Sequence, residues 1–201
     1  MERYLQACKT DFWKEVFKAE LEYILRELEG AKDVLSIGCG PAIIETGLSE
    51  HGFNITGLDI SEEALEQAPD SIRTIVGSAE DMDFADSCFD AVIYVVSLQF
   101  IEKYKEAVRE AGRVLRPKGR ILVMLLNPAS EFFKEKAADP ASYVSNIRHT
   151  DLKAIEKTMA EHFSIQTEYF LGIKRPEIFQ TREPALAALY VVKGKKKARS
   201  F

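Results

Sequence analysis

Val34-Leu35-Ser36-Ile37-Gly38-Cys39-Gly40-Pro41-Ala42 is the stretch on which the fold turns. Four residues of strand character run into two glycines one residue apart, and residues 43–51 then read as a helix. Glycines at 38 and 40 let a ligand approach the backbone closely, and a helix starting just after such a turn offers it unpaired N–H groups. Strand, tight turn and helix in that order form the first unit of a parallel sheet, because parallel neighbours need a crossover to join them.

The same alternation continues outward. Short β-branched runs at 33–37, 54–58, 72–76, 91–96 and 120–126 are separated by helical stretches such as 43–51, 62–68 and 104–115. Runs 91–96 and 121–126 are almost continuously hydrophobic, as a strand buried on both faces should be. Gly52 stands where a helix C-terminal cap is wanted, and Ser61 opens a helix whose first turn carries Glu62 and Glu63. Arg116-Pro117-Lys118-Gly119 has its proline and glycine placed for a type I turn between a helix and the fifth strand. Further on, residues 151–162 read as a helix and residues 164–171 and 185–192 as strands, with 172–184 a loop. Two strands joined without a helix are most simply antiparallel neighbours.

Upstream, residues 2–29 read as one amphipathic helix, with Tyr4, Leu5, Phe12, Trp13, Val16, Phe17, Leu21 and Ile24 among its apolar positions and Gly30 as its stop. The fold class expected is α/β: a doubly wound, mostly parallel, Rossmann-like sheet of seven strands, with an antiparallel last strand and an N-terminal helical extension. Residues 1–30 form that extension or lid, 31–192 the domain, and 193–201 a basic C-terminal tail.

Composition narrows the function classes. With 46% hydrophobic and 10% aromatic residues the 201-residue chain can bury a continuous core. A net charge of −5 disfavours a body that wraps nucleic acid. The charge is uneven: Lys193, Lys195, Lys196, Lys197 and Arg199 lie in the last nine residues, so removing their five positive charges leaves the rest at about −10. The tail reads as a solvated, disordered end, with RNA or an acidic surface as its alternative partner. Cys8, Cys39 and Cys88 show neither a disulfide framework nor zinc-ligand spacing, which fits a reducing cytoplasm. Residues 1–16 lack the apolar core of a secretory signal, and no run is long enough to span a bilayer. A soluble, cytoplasmic protein without membrane partner or metal is expected.

Two residues give the glycine turn chemical meaning. The second strand ends Gly57-Leu58-Asp59-Ile60, which puts a carboxylate at a carboxyl edge 19 residues beyond Gly40, where it can accept from both hydroxyls of a ribose. The dinucleotide fingerprint G-x-G-x-x-G fails, because its last glycine is Ile43 here. These features alone do not choose between adenosine-containing cofactors.

Five ordered blocks carry a resemblance: VLSIGCGPA at 34–42, ITGLDIS at 55–61, GSAEDMDF at 77–84, FDAV at 89–92 and RVLRPKG at 113–119. Together they resemble the class I S-adenosylmethionine-dependent methyltransferases, especially the small-molecule branch with VLDIGCGTG, VTGVDIS, GDAEDLPF, FDVV and RVLKPGG in that order. The resemblance implies S-adenosyl-L-methionine as cofactor. Its methionine end would lie along Ser36, Gly38, Cys39 and Gly40, with Val95 and Val96 touching the methionyl portion through the backbone. Asp59 would hold the ribose, Ile60 would pack on adenine, and Ser78, Ala79 and Glu80 would line the adenine edge. Three positions depart from the pattern: Ser36 replaces an acidic residue, Ala42 a third glycine, and Ser78 an aspartate. The first loses a charge that would favour the sulfonium; the last loses a strong acceptor that Glu80 could replace.

Methyl transfer is an in-line displacement for which positioning supplies much of the acceleration, so a general base is optional. Gln99 and Phe100 follow the fourth strand where relatives of this type often carry His and an aromatic. His149 lies in the acceptor-selecting region, making Gln99 and His149 the catalytic candidates. Tyr4 and Trp13 lie on a helix that could cover the site, although Phe12 and Trp13 equally suit packing of that helix on the body. His51 and His162 suit helix C-termini. No Asp/Asn-Pro-Pro-aromatic motif follows the fourth strand, and no carboxylate cluster for magnesium is present there. The function expected is methylation of a small-molecule nucleophile. The alternatives are an RNA or protein methyltransferase tethered by the basic tail, and a degenerate cofactor-binding interaction module.

Overall fold

The computed structural model describes residue 8 and residues 10–198. Tyr4, Leu5 and Arg199, named above, lie outside the described residues. Strands β1 (Asp33–Ile37), β2 (Asn54–Asp59), β3 (Arg73–Val76), β4 (Phe89–Val95) and β5 (Leu115–Leu126) are joined in sequence and run parallel. Strands β6 (Phe163–Lys174), β7 (Glu177–Phe179) and β8 (Ala187–Lys196) complete one eight-stranded sheet in the order β3-β2-β1-β4-β5-β8-β6-β7. The last three are antiparallel to their neighbours. Strand order reverses at β1, with β2 on one side and β4 on the other, so a crevice opens at their carboxyl ends beside the glycine turn.

Side chains alternate across the sheet and build a core on each face. Val34, Ala91, Ile93, Leu122 and Met124 point to one face. There they meet α1 (Asp11–Glu27) and α2 (Ile43–Glu50). Leu35, Ile37, Val92, Tyr94, Val123 and Leu125 point to the other, under α4 (Tyr104–Val114) and α6 (Leu152–His162). Between them lie the short helices α3 (Glu62–Leu65) and α5 (Glu131–Ala137). Each fully buried Val, Leu or Ile contributes roughly 1.5–3 kcal/mol of transfer free energy, which drives the layering.

Helix α1 packs one face against the sheet and α2. Val16, Glu20, Tyr23 and Ile24 recur at four-, three- and one-residue steps and are all buried. A Cβ on Gly47 of α2 would lie 2.5 Å from Leu21 Cδ2, so the two helices meet at a glycine. Local caps follow the sequence: Ser61 Oγ accepts from the Ala64 N–H, and Asp151 Oδ1 from the Ala154 N–H. His51 caps the end of α2, and Gly52 follows with φ 88°.

Three expectations are corrected. Residues 172–184 are not wholly loop, because β6 and β7 form a hairpin across Arg175-Pro176 in which the Phe179 ring covers Gly172; a Cβ there would sit 2.3 Å from it. The sheet therefore has eight strands. Arg116-Pro117-Lys118-Gly119 does not precede the fifth strand but interrupts it. The β4–β5 register jumps from Phe89↔Leu115 to Ala91↔Arg120, with Lys118 at φ 65°. The basic end is not all tail: β8 extends through Lys196, and Lys193 Nζ sits 2.8 Å from Glu168 and 3.0 Å from Glu27. Lys196 and Lys197 donate to the Leu115 and Ala160 carbonyls. Among the described residues no helix is long and apolar enough to cross a membrane.

Candidate functional site

The glycine turn is set by a close contact at its first glycine. Gly38 has φ 72°, and a Cβ there would lie 2.4 Å from that of Ser97, whose hydroxyl donates to the Ile37 carbonyl between the ends of β1 and β4. Gly40 has φ 51°, and a Cβ on it would meet nothing within 4 Å. The first glycine is therefore demanded by the protein's own packing. The second leaves open space beside the backbone.

Two further residues hold left-handed backbone. Ala42, at the position of the expected third glycine, has φ 57° and is fully buried. Val96, just beyond β4, has φ 52°, which is costly for a β-branched residue. Its N–H donates to the Met124 carbonyl, which fixes it in that conformation.

Ser36 is buried, and its hydroxyl donates to the Glu45 carboxylate in the first turn of α2. Glu45 is 3% exposed, and burial pushes its carboxyl up to about 7, with the Ser36 hydrogen bond opposing the shift. The acidic group missing at position 36 thus reappears from the helix nine residues later. Sequence reasoning missed Glu45; the signal was an acidic residue in the first turn of the helix that follows a strand lacking its usual acid. Burial, with the nearby Glu45 and Asp59 carboxylates, also holds the Cys39 thiol in its neutral form.

Asp59 reaches back to the turn. Its Oδ2 accepts from the Gly40 N–H at 2.8 Å and its Oδ1 from the Ser61 N–H at 2.9 Å. Beside it Ile60 is 77% exposed and Val76 54%, two large apolar side chains at the carboxyl edge of β2 and β3. Ala79 is buried, and the Ser78 hydroxyl accepts from the Glu80 N–H. Glu80 itself accepts from the Lys103 N–H ahead of α4, at 3.0 Å, so its carboxylate already has a structural partner.

A cavity of about 850 Å³ opens from the turn. Gly38, Cys39, Glu45, Val95 and Val96 line one end. The other lies against α1, α5, the 3₁₀ turn Tyr143–Asn146 and the β6–β7 hairpin, with Trp13, Phe17, Phe132, Tyr143 and Glu20 in its wall. Of the expected cofactor residues, the structure brings Gly38, Cys39, Val95 and Val96 into this cavity. Gly40 and Asp59 stand beside it, and Ile60, Ser78, Ala79 and Glu80 form a separate edge.

The two catalytic candidates sit elsewhere. Gln99 is fully buried; its amide donates to the Leu126 and His149 carbonyls and accepts from the Leu126 N–H. These bonds brace β5 against the 148–149 backbone. His149 places Nε2 2.9 Å from the Ile101 carbonyl, and its ring lies 4.7 Å from that of Tyr104. Neither side chain is among the residues lining the cavity, and both are engaged with backbone groups. Among the described residues no three His, Cys, Asp or Glu side chains cluster so as to hold a metal.

Comparison with known proteins agrees with this geometry. Residues 35–123 match the family model for a methyltransferase domain. An uncharacterized protein of Methanocaldococcus jannaschii is 32% identical over 126 residues, covering 60% of this chain and 58% of its own length. A ubiquinone biosynthesis O-methyltransferase of Vibrio campbellii is 24% identical over 182 residues, 76% of this chain and 77% of that one. The chain spans 22% to 58% of the length of the first curated relatives it matches. Among solved structures, an S-adenosylmethionine-dependent methyltransferase of Thermotoga maritima, described as a possible histamine N-methyltransferase, superposes with a TM-score of 0.82. It is 20% identical and covers 98% of this chain and 95% of its own.

Proposed function

We propose that the chain is a class I, S-adenosylmethionine-dependent methyltransferase that methylates a small-molecule nucleophile in the cavity under α1, a reading supported by the match of residues 35–123 to a methyltransferase-domain model. The observation that carries this reading is the continuity of that cavity, which joins the glycine turn to an apolar chamber in one space of about 850 Å³. Donor and acceptor sites thus share one compartment, as a direct displacement requires.

In this reading Asp59 holds the ribose hydroxyls, trading the Gly40 and Ser61 N–H groups that occupy it now. The exposed Ile60 side chain packs on adenine, and Ser78, Ala79 and Glu80 form the adenine edge. Gly38, Cys39, Gly40, Val95 and Val96 take the methionine portion. Glu45, oriented by Ser36, provides the negative charge for its cationic end. The bound cofactor supplies an electrophilic methyl group; the chain's part is to align the acceptor and keep water out. Helix α1 and the 1–30 segment act as the cover of the 31–192 domain. The occupied side chains of Lys193, Lys196 and Lys197 count against a tail-tethered RNA or protein acceptor. The three scattered cysteines fit a cytoplasmic setting.

Incubation with methyl-labelled S-adenosylmethionine and panels of amines, phenols and thiols tests the proposal. Label transfer to at least one class, abolished by Asp59→Ala, is expected. Tight S-adenosylhomocysteine binding without transfer to any class would instead point to a non-catalytic binding module.

A further inference from the structure

Glu20 stands on the buried face of α1, between Val16 and Tyr23, where the helical pattern calls for an apolar side chain. It is 5% exposed, and no hydrogen bond or salt bridge to its carboxylate is found among the described residues; since none of their buried side-chain oxygens lacks a partner, the Glu20 oxygens open onto the cavity. It lines the cavity on the wall formed by α1 away from the glycine turn. A carboxylate reached only from such a cavity is poorly hydrated and is stabilised by a cationic partner there. Burial alone pushes its carboxyl up to about 8.

The surroundings say what would compensate it. Trp13, Phe17, Phe132 and Tyr143 share the chamber, and Trp13 lies 5.9 Å from Phe17 in a stacked pair and 6.2 Å from Phe132 edge-on, forming an aromatic wall. The Tyr143 phenol is held neutral by burial first and then by the Glu20 charge, so the two groups are close. Such rings attract cations. Arg175 already demonstrates it from the hairpin side, with its guanidinium 5.1 Å from the Phe12 centroid and 5.9 Å from that of Trp13. Among the described residues, the two buried charged side chains lining the cavity are carboxylates: Glu45 beside the glycine turn and Glu20 on α1. The cations Lys136 and Arg175 also line it but are less buried, and the Arg175 charge acts on the Tyr143 phenol in the opposite sense to Glu20.

We propose that Glu20 and the aromatic wall around it form the acceptor subsite, and that the acceptor is a small amine entering as its ammonium ion. This rests on the methyltransferase reading and deepens it. The ammonium pairs with the Glu20 carboxylate and is flanked by ring faces. Before the nitrogen lone pair is available, one N–H proton passes to a Glu20 oxygen, turning ammonium into neutral amine and carboxylate into carboxylic acid.

Trp13 is the chain's single tryptophan and lines the chamber, so its fluorescence reports binding there. The probes are 2-phenylethylamine and its uncharged counterpart 2-phenylethanol, titrated at pH 8.5 with saturating S-adenosylhomocysteine. Wild-type protein should bind the amine at least tenfold more tightly than the alcohol. Glu20→Gln should erase that preference while leaving alcohol and S-adenosylhomocysteine affinities within twofold, and a thermal melt confirms that it folds. Equal affinity for the two probes, no binding of either, or a preference that survives Glu20→Gln would overturn the proposal. Failure of S-adenosylhomocysteine to bind, with the amine preference intact, would sink the methyl-transfer reading and leave the cation site standing.

Discussion

At the scale of single residues, the site depends on how two buried carboxylates are held. Ser36 donates the hydrogen bond that keeps Glu45 in place, so Ser36→Ala should leave the carboxylate unsatisfied and cost about 1–3 kcal/mol in urea unfolding. Glu45→Gln should weaken binding of S-adenosylmethionine about tenfold, with a smaller loss for S-adenosylhomocysteine, since only the former carries a sulfonium. Equal losses for both ligands would show that Glu45 answers to the shared amino-acid end. The sequence exposed half of this arrangement: Ser36 was visible as a departure, because strand registers are easy to align. Glu45 was not, since a glutamate in a helix's first turn ordinarily faces water and favours the dipole. Gln99 and His149 were drawn toward the site by position in the chain. Their side chains reach the carbonyls of Leu126, His149 and Ile101, contacts that no spacing rule encodes.

At the scale of elements, the meeting of α1 and α2 governs the chamber. Gly47→Val would drive a branched side chain into Leu21, lifting α1; a loss of roughly 1–3 kcal/mol and an altered Trp13 emission are expected. Retained stability with unchanged emission would mean that α1 tolerates displacement and does not shape the cavity. The parallel half of the sheet was readable because its strands are β-branched runs set between helices. The hairpin was not. Strand β7 has three residues with one inward apolar side chain, Ile178, too short for a period to register, and Phe179 packing on Gly172 is a cross-strand contact. The basic end misled for a related reason: Lys193 looks solvated in sequence, but its partners Glu27 and Glu168 lie far away in the chain.

At the scale of the whole molecule, the carboxylates divide into two populations that set opposite limits on stability. Hydrogen bonds from Arg113 hold Glu110 below the usual carboxylate range, Lys153 and Tyr190 do so for Glu156, and Asn54 and Arg116 for Asp33. Their stabilisation is present above the ordinary carboxylate pKa and is lost as pH falls through the lowered values. Glu20 and Glu45 are raised, so their contribution is full below about pH 4.5 and is lost as pH rises through about 7 for Glu45 and about 8 for Glu20. Thermal stability should therefore peak at roughly pH 5–6. Glu20→Gln should flatten the alkaline decline, giving a higher Tm than wild type at pH 8.5 and little difference at pH 5. A wild-type profile level from pH 5 to 9 would contradict the burial of these two groups. The central claim, that the glycine turn and Asp59 together bind S-adenosylmethionine, is tested most directly by calorimetric titration of wild type and Asp59→Ala with S-adenosylmethionine and S-adenosylhomocysteine. One-to-one binding to wild type, lost in a variant whose Tm is preserved, is the result expected. No heat with either ligand, or equal affinity in the variant, would contradict it.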